Sequence, residues 1–192
     1  MYKTIRIYRH GETEWNKQGL LQGWLDSPLT ELGKQQAIAV DWQPDVVYAS
    51  DLGRAVTTAQ LMFPNRPIIQ DARLREIFLG EWQGREISGL LQDAAYRSYC
   101  EQPEAFVAAT QEPFAQVAGR MLDFCRSLQH NASKNIAVVS HGVAIACLQA
   151  ALEQRPISAL WQEGMLAGGA CLTLECRAIE DWCVKKMTLQ KI

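Results

Sequence analysis

Residues 3–11 read KTIRIYRHG, a short apolar run that ends in Arg9 and His10. The run predicts a β-strand over Lys3–Arg9. Packing alone does not explain a strand that ends in Arg-His-Gly. The rest of the sequence therefore has to show whether this strand end is a feature of the surface or a reaction centre.

Two further apolar runs also end in polar residues. VVYA at 46–49 is followed by Ser50 and Asp51, with Arg54 shortly after, and NIAVVS at 135–140 is followed by His141. The carboxyl ends of parallel strands lie at one edge of an open sheet, and ligands bind at that edge. We therefore expect His10, Arg54 and His141 to meet, although they are far apart in the sequence.

Helical patterns alternate with the strand-like runs. Thr30 is a predicted cap for a helix to about Val40, and Asp51 for the helix that follows it. The other predicted helices lie within 86–102, from Pro113 to about Gln129, and from Val143 to Leu152. The other predicted strands are Pro67–Gln70, Ala170–Arg177 and Trp182–Leu189, and the last two form a hairpin at the edge of the sheet. Residues 10–28 are predicted to form a loop. This alternation predicts a single α/β domain over residues 1–192, a three-layer sandwich with a central, mostly parallel sheet flanked by helices.

Composition excludes several classes of protein. The 192 residues carry a formal charge of −2, and the sequence pI is about 5.9, which argues against a nucleic-acid binder. The sequence contains neither an apolar stretch long enough for a membrane span nor an N-terminal signal-peptide core. We expect a cytoplasmic monomer or homodimer. Since none of the three histidines pairs with a cysteine at a metal-site spacing, we expect no metal.

Two histidines and two arginines at one sheet edge indicate phosphate chemistry. Guanidinium groups are suited to phosphate, and a helix N-terminus beside Arg54 adds positive potential. The same positive charge disfavours an imidazolium, so a histidine there is more readily neutral and nucleophilic. A neutral imidazole can attack phosphorus and carry the phosphoryl group.

The segment LREIFLGEWQG at 74–84 supplies the acid that such a reaction needs. Glu76 is the best candidate, since a nearby phosphate favours the protonated carboxyl through like charge. Glu81 is a weaker candidate because it lies further into the loop. Trp82 and Arg85 are expected to line a substrate pocket. The sequence lacks both a Gly-x-Ser-x-Gly elbow around Ser140 and a P-loop, which argues against a serine hydrolase and an NTPase.

Five stretches, in this order, resemble the phosphoglycerate-mutase-like branch of the histidine phosphatase superfamily: RHGETEWN at 9–16, LQGWLDSPLTELGKQQA at 21–37, SDLGRAVTTA at 50–59, LREIFLGEWQG at 74–84 and VVSHGV at 138–143. The resemblance implies that His10 is the phosphorylated nucleophile and Glu76 the proton donor. It also implies that the phosphate pocket is formed by Arg9, Arg54, His141 and Asn16. Gln22 and Gly23 match a loop that contacts the substrate. The implied reaction uses neither metal nor cofactor.

The resemblance leaves the substrate open. Mutase members carry a longer insertion between the acid and the second histidine, whereas only residues 77–140 separate Glu76 from His141 here. That insertion covers the site in mutases. A site without it is less enclosed, so water reaches the phosphohistidine, which favours hydrolysis. The chain looks most like small α-ribazole-5′-phosphate and broad-specificity phosphatases, so a small phosphorylated metabolite is expected, with α-ribazole 5′-phosphate of cobalamin nucleotide-loop assembly as the named candidate.

Three alternatives stay open: a phosphoglycerate mutase, a phosphoprotein phosphatase and a non-catalytic phosphate-binding regulator. A wide, shallow pocket around Trp24 and Trp82 would support the phosphoprotein phosphatase. A pure binder has no use for an acid, so Glu76 argues against the regulator. One departure concerns the substrate side, because many small relatives have Gly-Glu-Ser before the long helix and this chain reads TQEPFAQV at 110–117, with Glu112-Pro113.

Overall fold

The protein is described by a computed structural model that covers residues 3–38 and 40–176, together with the backbone of 182–188. The strands are Lys3–Arg9 (β1), Val46–Ala49 (β2), Ile68–Gln70 (β3), Asn135–Ser140 (β4), Cys171–Cys176 (β5) and Trp182–Thr188 (β6). They form one sheet in the order β3-β2-β4-β1-β5-β6. The first four strands are parallel, whereas β5 runs antiparallel to β1 and β6 to β5. The predicted sheet and its edge hairpin are confirmed; Arg177 and Leu189 lie outside the described residues.

The helices are Glu14–Gln18 (α1), Glu31–Gln36 (α2), Gly53–Met62 (α3), Ile87–Leu90 (α4), Ala94–Glu101 (α5), Phe114–Ser127 (α6) and Gly142–Leu152 (α7). Thr30 caps α2 by accepting a hydrogen bond from Gly33 N at 2.9 Å, as predicted, but the helix ends at Gln36. Asp51 does not cap α3, because its carboxylate binds Arg75 instead. Within the described residues, a helix that is both long and apolar enough to cross a bilayer is absent.

The sheet lies between two apolar layers, which confirms the three-layer prediction. Side chains of β4 alternate between them: Ile136 and Val138 pack with α6 and α7 on one face, and Ala137 and Val139 pack with α3 on the other. This alternation follows from the two-residue period of a strand. Because β4 is central, both of its faces are covered and its sequence is almost wholly apolar.

The register of β4 decides which strand ends meet. Arg9 in β1 pairs with Ser140 in β4, and Ala49 in β2 pairs with Val139. His10 and His141 directly follow the paired residues Arg9 and Ser140, so the two histidines leave the sheet side by side. The start of α3 follows β2 at the same edge. Parallel register thus delivers three separate parts of the sequence to one place.

Candidate active site

His10 lies directly after β1, with 3% of its surface exposed. Its Nδ1 is 2.7 Å from the carbonyl oxygen of Gly11, so Nδ1 carries a proton and donates to that oxygen. Nε2 then holds the lone pair, to which Arg54 Nε donates at 3.3 Å. Burial, followed by the charges of Arg54 and Arg9, holds the pKa of His10 well below its usual value. The imidazole is therefore neutral at pH 7 with Nε2 as its nucleophilic atom.

Gly11 explains why the strand end reads Arg-His-Gly. A Cβ at this position would collide with the backbone oxygen of Gly33 in α2. The Gly11 amide donates to Thr58 Oγ1 in α3 at 3.1 Å. The turn after His10 is thereby fixed between two helices, and only glycine fits the space.

Arg54 lies in the first turn of α3, and only 2% of it is exposed. Its Nη1 donates to Leu25 O at 2.8 Å and to Asp26 Oδ1 at 2.9 Å, and its Nη2 donates to Gly23 O at 2.7 Å. The loop before α2 therefore fixes the plane of the guanidinium beside His10. Asp26 was missed by sequence reasoning, because nothing in the local pattern links it to Arg54.

His141 occupies the N-cap position of α7 and is completely buried. Its ring centroid lies 5.1 Å from that of His10. Neither of its ring nitrogens has a hydrogen-bond partner among the described residues. Burial lowers the pKa of His141 well below its usual value, and the charges of Arg54 and His10 lower this pKa further. A neutral His141 can donate one N–H to a guest in the site.

Arg9, which is half-buried, contributes a second guanidinium. Its Nη1 donates to Leu166 O at 2.5 Å, while its Nε is buried without a partner among the described residues. Burial lowers the pKa of Arg9, an effect that the negative charge of Glu76 opposes. A cation with a buried, unpaired donor is suited to an anionic guest.

Asn16 is oriented by the cap of α1. Its Oδ1 accepts from Thr13 N at 3.1 Å, and Asn16 N donates to Thr13 Oγ1 at 3.2 Å. This reciprocal capping box occupies the amide oxygen. The Nδ2 group is left to donate to a guest.

Glu76 is held at the N-terminus of α7. Its Oε1 accepts from Ile77 N and Ala144 N, both at 3.0 Å, and its Oε2 accepts from Val143 N at 3.2 Å. A helix N-terminus offers unpaired amides and positive potential to a carboxylate. The Glu76 carboxyl group is thus anchored at the same strand edge as His141.

A buried ion pair supports the backbone of Glu76. Arg120 in α6 binds the Glu112 carboxylate through Nε at 2.8 Å and Nη2 at 2.9 Å, and its Nη2 also donates to Glu76 O at 3.0 Å. Glu112 Oε2 accepts from Phe78 N at 3.1 Å. Glu112, noted above as part of a departure from Gly-Glu-Ser, therefore stabilises the segment that carries Glu76. Arg120 was not singled out from the sequence.

One cavity of about 540 Å³ lies at this edge of the sheet. Seven of the predicted site residues line it: Arg9, His10, Asn16, Gln22, Gly23, Arg54 and Glu76. His141 is buried beside His10 rather than on the cavity surface. Among the described residues, three or more histidine, cysteine, aspartate or glutamate side chains are nowhere grouped so that they could hold a metal ion.

The comparison with known families agrees with this arrangement. The sequence profile of the histidine phosphatase superfamily (branch 1) matches residues 5–188. The chain belongs to the histidine phosphatase superfamily. It shares 34% identity over 173 residues with the glucosyl-3-phosphoglycerate phosphatase of Mycolicibacterium vanbaalenii, covering 81% of this chain and 76% of that protein.

Other relatives of this histidine phosphatase are close in sequence and in fold. The adenosylcobalamin/α-ribazole phosphatase of Escherichia coli is 34% identical over 167 residues, 81% of each chain. Several relatives of 33 to 36% identity are called probable phosphoglycerate mutases. The solved structure of Bacillus stearothermophilus YhfR superposes with a TM-score of 0.87 at 33% identity, covering 95% of both chains. The chain is accordingly a phosphatase of this superfamily, and the comparisons leave its substrate open.

Two residues expected in the substrate pocket of this phosphatase, Trp82 and Arg85, lie outside the cavity lining. Trp82 is 1% exposed and packs edge-on against Tyr96 and Tyr99 in the core. Arg85 is exposed and outside the cavity lining. Burial of Trp82 also rules out the shared surface pocket with Trp24 that would have supported a phosphoprotein phosphatase.

The second acid candidate is also separated from the cavity. Glu81 is exposed, and its backbone amide donates to Thr110 Oγ1 at 3.2 Å. It does not line the cavity, whereas Glu76 does. Of the two carboxylates weighed from the sequence, Glu76 is the one positioned near His10.

Proposed function

We propose that this histidine phosphatase hydrolyses a small phosphomonoester through a phosphohistidine at His10. The observation that carries the proposal is the state of His10. Its Nδ1 is fixed by Gly11 O, and its Nε2 lies 3.3 Å from the buried guanidinium of Arg54. A neutral imidazole with a defined tautomer beside a permanent cation is the combination that attack on phosphorus requires.

The groups around His10 are suited to a phosphoryl group. Arg9 Nε and a ring nitrogen of His141 are buried donors without partners among the described residues, and Asn16 Nδ2 is left by its capping box. In the proposed complex Arg9, Asn16 and Arg54, which line the cavity, bind the three non-bridging oxygens, and His141 lies beside His10 as a further donor. They would stabilise the charge on those oxygens as the phosphoryl group transfers.

The reaction then has two steps. His10 Nε2 attacks phosphorus, the P–O bond to the alcohol breaks, and the Glu76 carboxyl group gives a proton to the departing oxygen. Water next attacks the phosphohistidine, Glu76 takes a proton from it, and the P–N bond breaks. Inorganic phosphate leaves, and both His10 and Glu76 return to their starting states. Each step uses only groups that lie at this edge of the sheet.

Among metabolites, α-ribazole 5′-phosphate is our preferred substrate. The relative in Escherichia coli whose name includes α-ribazole phosphatase supports this choice. The relatives called probable phosphoglycerate mutases favour an isomerase as the second candidate. The short segment between Glu76 and His141, residues 77–140, argues for hydrolysis over mutase activity.

The experiment is to measure phosphate release from a panel of phosphorylated metabolites, with His10→Ala as the inactive control. We expect release that depends on His10, with the highest kcat/KM for α-ribazole 5′-phosphate. Interconversion of 3- and 2-phosphoglycerate with a bisphosphoglycerate primer, without net phosphate release, would instead establish the mutase. Preference for phosphopeptides over every metabolite would establish a phosphoprotein phosphatase.

A further inference from the structure

The cavity has two chemically different ends. The phosphoryl end holds Arg9, His10, Asn16, Arg54 and Glu76. The remainder of the wall is mostly apolar or aromatic and includes Leu20, Leu21, Ile77, Leu79, Ile87, Tyr96, Tyr99, Val143, Trp161 and Met165. A volume of about 540 Å³ falls within the range of pockets that bury a drug-sized ligand, far more than a phosphate needs.

The second end offers no charge to a ligand. Within the described lining, the charged side chains are Arg9, Arg54 and Glu76, and all three belong to the phosphoryl end. Burial raises the pKa of Tyr96 and Tyr99, and partial loss of hydration raises the pKa of the Cys100 thiol, so these groups are neutral at pH 7. A carboxylate or second phosphate at this end would lose its water without meeting a cation, which is costly.

The aromatic part of this wall is held in place by contacts between its own residues and with core residues behind it. Trp161 Nε1 donates to Tyr99 O at 2.9 Å. The Tyr99 ring stacks on Phe114 with a centroid distance of 5.1 Å, and Tyr96 packs edge-on against Trp82 at 5.3 Å. A rigid wall of this kind selects a flat apolar group because little ordering cost remains on binding.

Apolar side chains also continue to the cavity mouth. Ile87 and Met165 line the cavity, yet they are 37% and 53% exposed. An apolar ligand that fills the second end would cover both side chains and remove their surface from water.

We infer that the alcohol half of the substrate is uncharged and carries an apolar ring system, which binds against Tyr96, Tyr99 and Trp161. The inference rests on the proposed function, because it takes the phosphoryl end as the place of the reacting group. It selects ring-bearing phosphomonoesters and rejects those with a second anionic group. Phosphoglycerates belong to the rejected class.

The test compares alkyl phosphates that differ mainly in this half: 2-phenylethyl phosphate, glycerol 3-phosphate and 3-phosphoglycerate. We expect kcat/KM to be at least about tenfold higher for the phenyl ester than for glycerol 3-phosphate, and lowest for 3-phosphoglycerate. Equal values, or a preference for 3-phosphoglycerate, would overturn the inference while phosphate release still supported the proposed function. If none of the esters, nor an activated aryl phosphate, releases phosphate, the proposed function itself fails.

A charge placed at the mouth gives a second readout. Ile87→Lys should lower kcat/KM for the phenyl ester. The ratio of kcat/KM for 3-phosphoglycerate to kcat/KM for the phenyl ester should rise by about tenfold. Leu91→Lys is the matched control, because Leu91 is 53% exposed just after α4 but does not line the cavity. An unchanged ratio in Ile87→Lys, or the same change in both variants, would contradict the inference.

The thiol of Cys100 reports binding without turnover, since Cys100 lines the cavity and is exposed. In His10→Ala, 2-phenylethyl phosphate should slow alkylation of Cys100 by iodoacetamide several-fold, as measured by peptide mass spectrometry. Glycerol 3-phosphate at the same concentration should not. Equal protection by both esters would show that the ring does not occupy this end.

Discussion

The ring centroids of His10 and His141 lie 5.1 Å apart because the preceding residues, Arg9 and Ser140, are register partners across β1 and β4. Both imidazoles are buried, and the pKa of each is lowered chiefly by that burial. The fold therefore keeps two neutral histidines beside two guanidinium groups. This arrangement has consequences for stability as well as for the proposed chemistry.

The two histidines should make the protein less stable in acid. Below a pH of about 6.5 the unfolded chain protonates them while the folded chain, in which their pKa is lowered, does not. Stability is therefore full above this pH and is lost as the pH falls. Each histidine adds a slope of up to about 1.4 kcal/mol per pH unit to the free energy of unfolding. Urea titrations between pH 7.5 and 5 should show a shallower slope in His141→Gln than in the parent protein. Parallel slopes below pH 6.5 would show that His141 protonates in the folded state.

Arg54 should not be replaceable by lysine. Its guanidinium bonds to Gly23, Leu25 and Asp26 while Nε contacts His10, a geometry that an ammonium group cannot reproduce. We expect Arg54→Lys to lower kcat/KM by about 10²- to 10³-fold, the range seen for loss of one preorganised donor. Steady-state kinetics measure kcat/KM for Arg54→Lys and for the control Arg85→Lys, which changes an exposed arginine outside the cavity. Similar losses in the two variants would remove the special role of Arg54.

Glu76→Gln should slow the first step most for poor leaving groups. A glutamine keeps the size of the side chain but cannot supply a proton, so alkyl phosphates should lose about 10²- to 10⁴-fold in kcat/KM. Aryl phosphates, whose leaving groups need less protonation, should lose much less. Glu81→Gln is the control, since it alters the other acid weighed from the sequence. Equal losses for alkyl and aryl esters would show that Glu76 is not the proton donor.

The Glu112–Arg120 pair should contribute strongly to stability. Its side chains are 7% and 15% exposed, and removing one partner of a buried pair costs about 3–5 kcal/mol. Arg120→Met, measured by urea unfolding, should show a loss of this size. Arg126→Met is the matched control on the same helix, because Arg126 and Asp123 form an exposed pair worth about 0–1 kcal/mol. A loss in Arg120→Met no larger than the control would contradict this account.

Strand periodicity and strand ends were sufficient to predict that the candidate residues meet at one edge of the sheet. Parallel register alone brings His10, Arg54 and His141 to one edge. The ion pairs that fix these groups could not be predicted, since Asp26 meets Arg54, and Glu112 meets Arg120, only after the loops have packed. The position of Trp82 depends on packing in the same way: the sequence shows an aromatic residue near Glu76, but the packing of α5 decides that its ring enters the core.

The phosphohistidine itself tests the central claim most directly. The protein is mixed with a ³²P-labelled phosphomonoester and quenched within milliseconds in alkali, because phosphohistidine survives in alkali. The labelled peptide is then identified. We predict label at His10 that is lost in acid and absent from His10→Ala. Steady release of phosphate with no labelled His10 at any quench time would contradict the account.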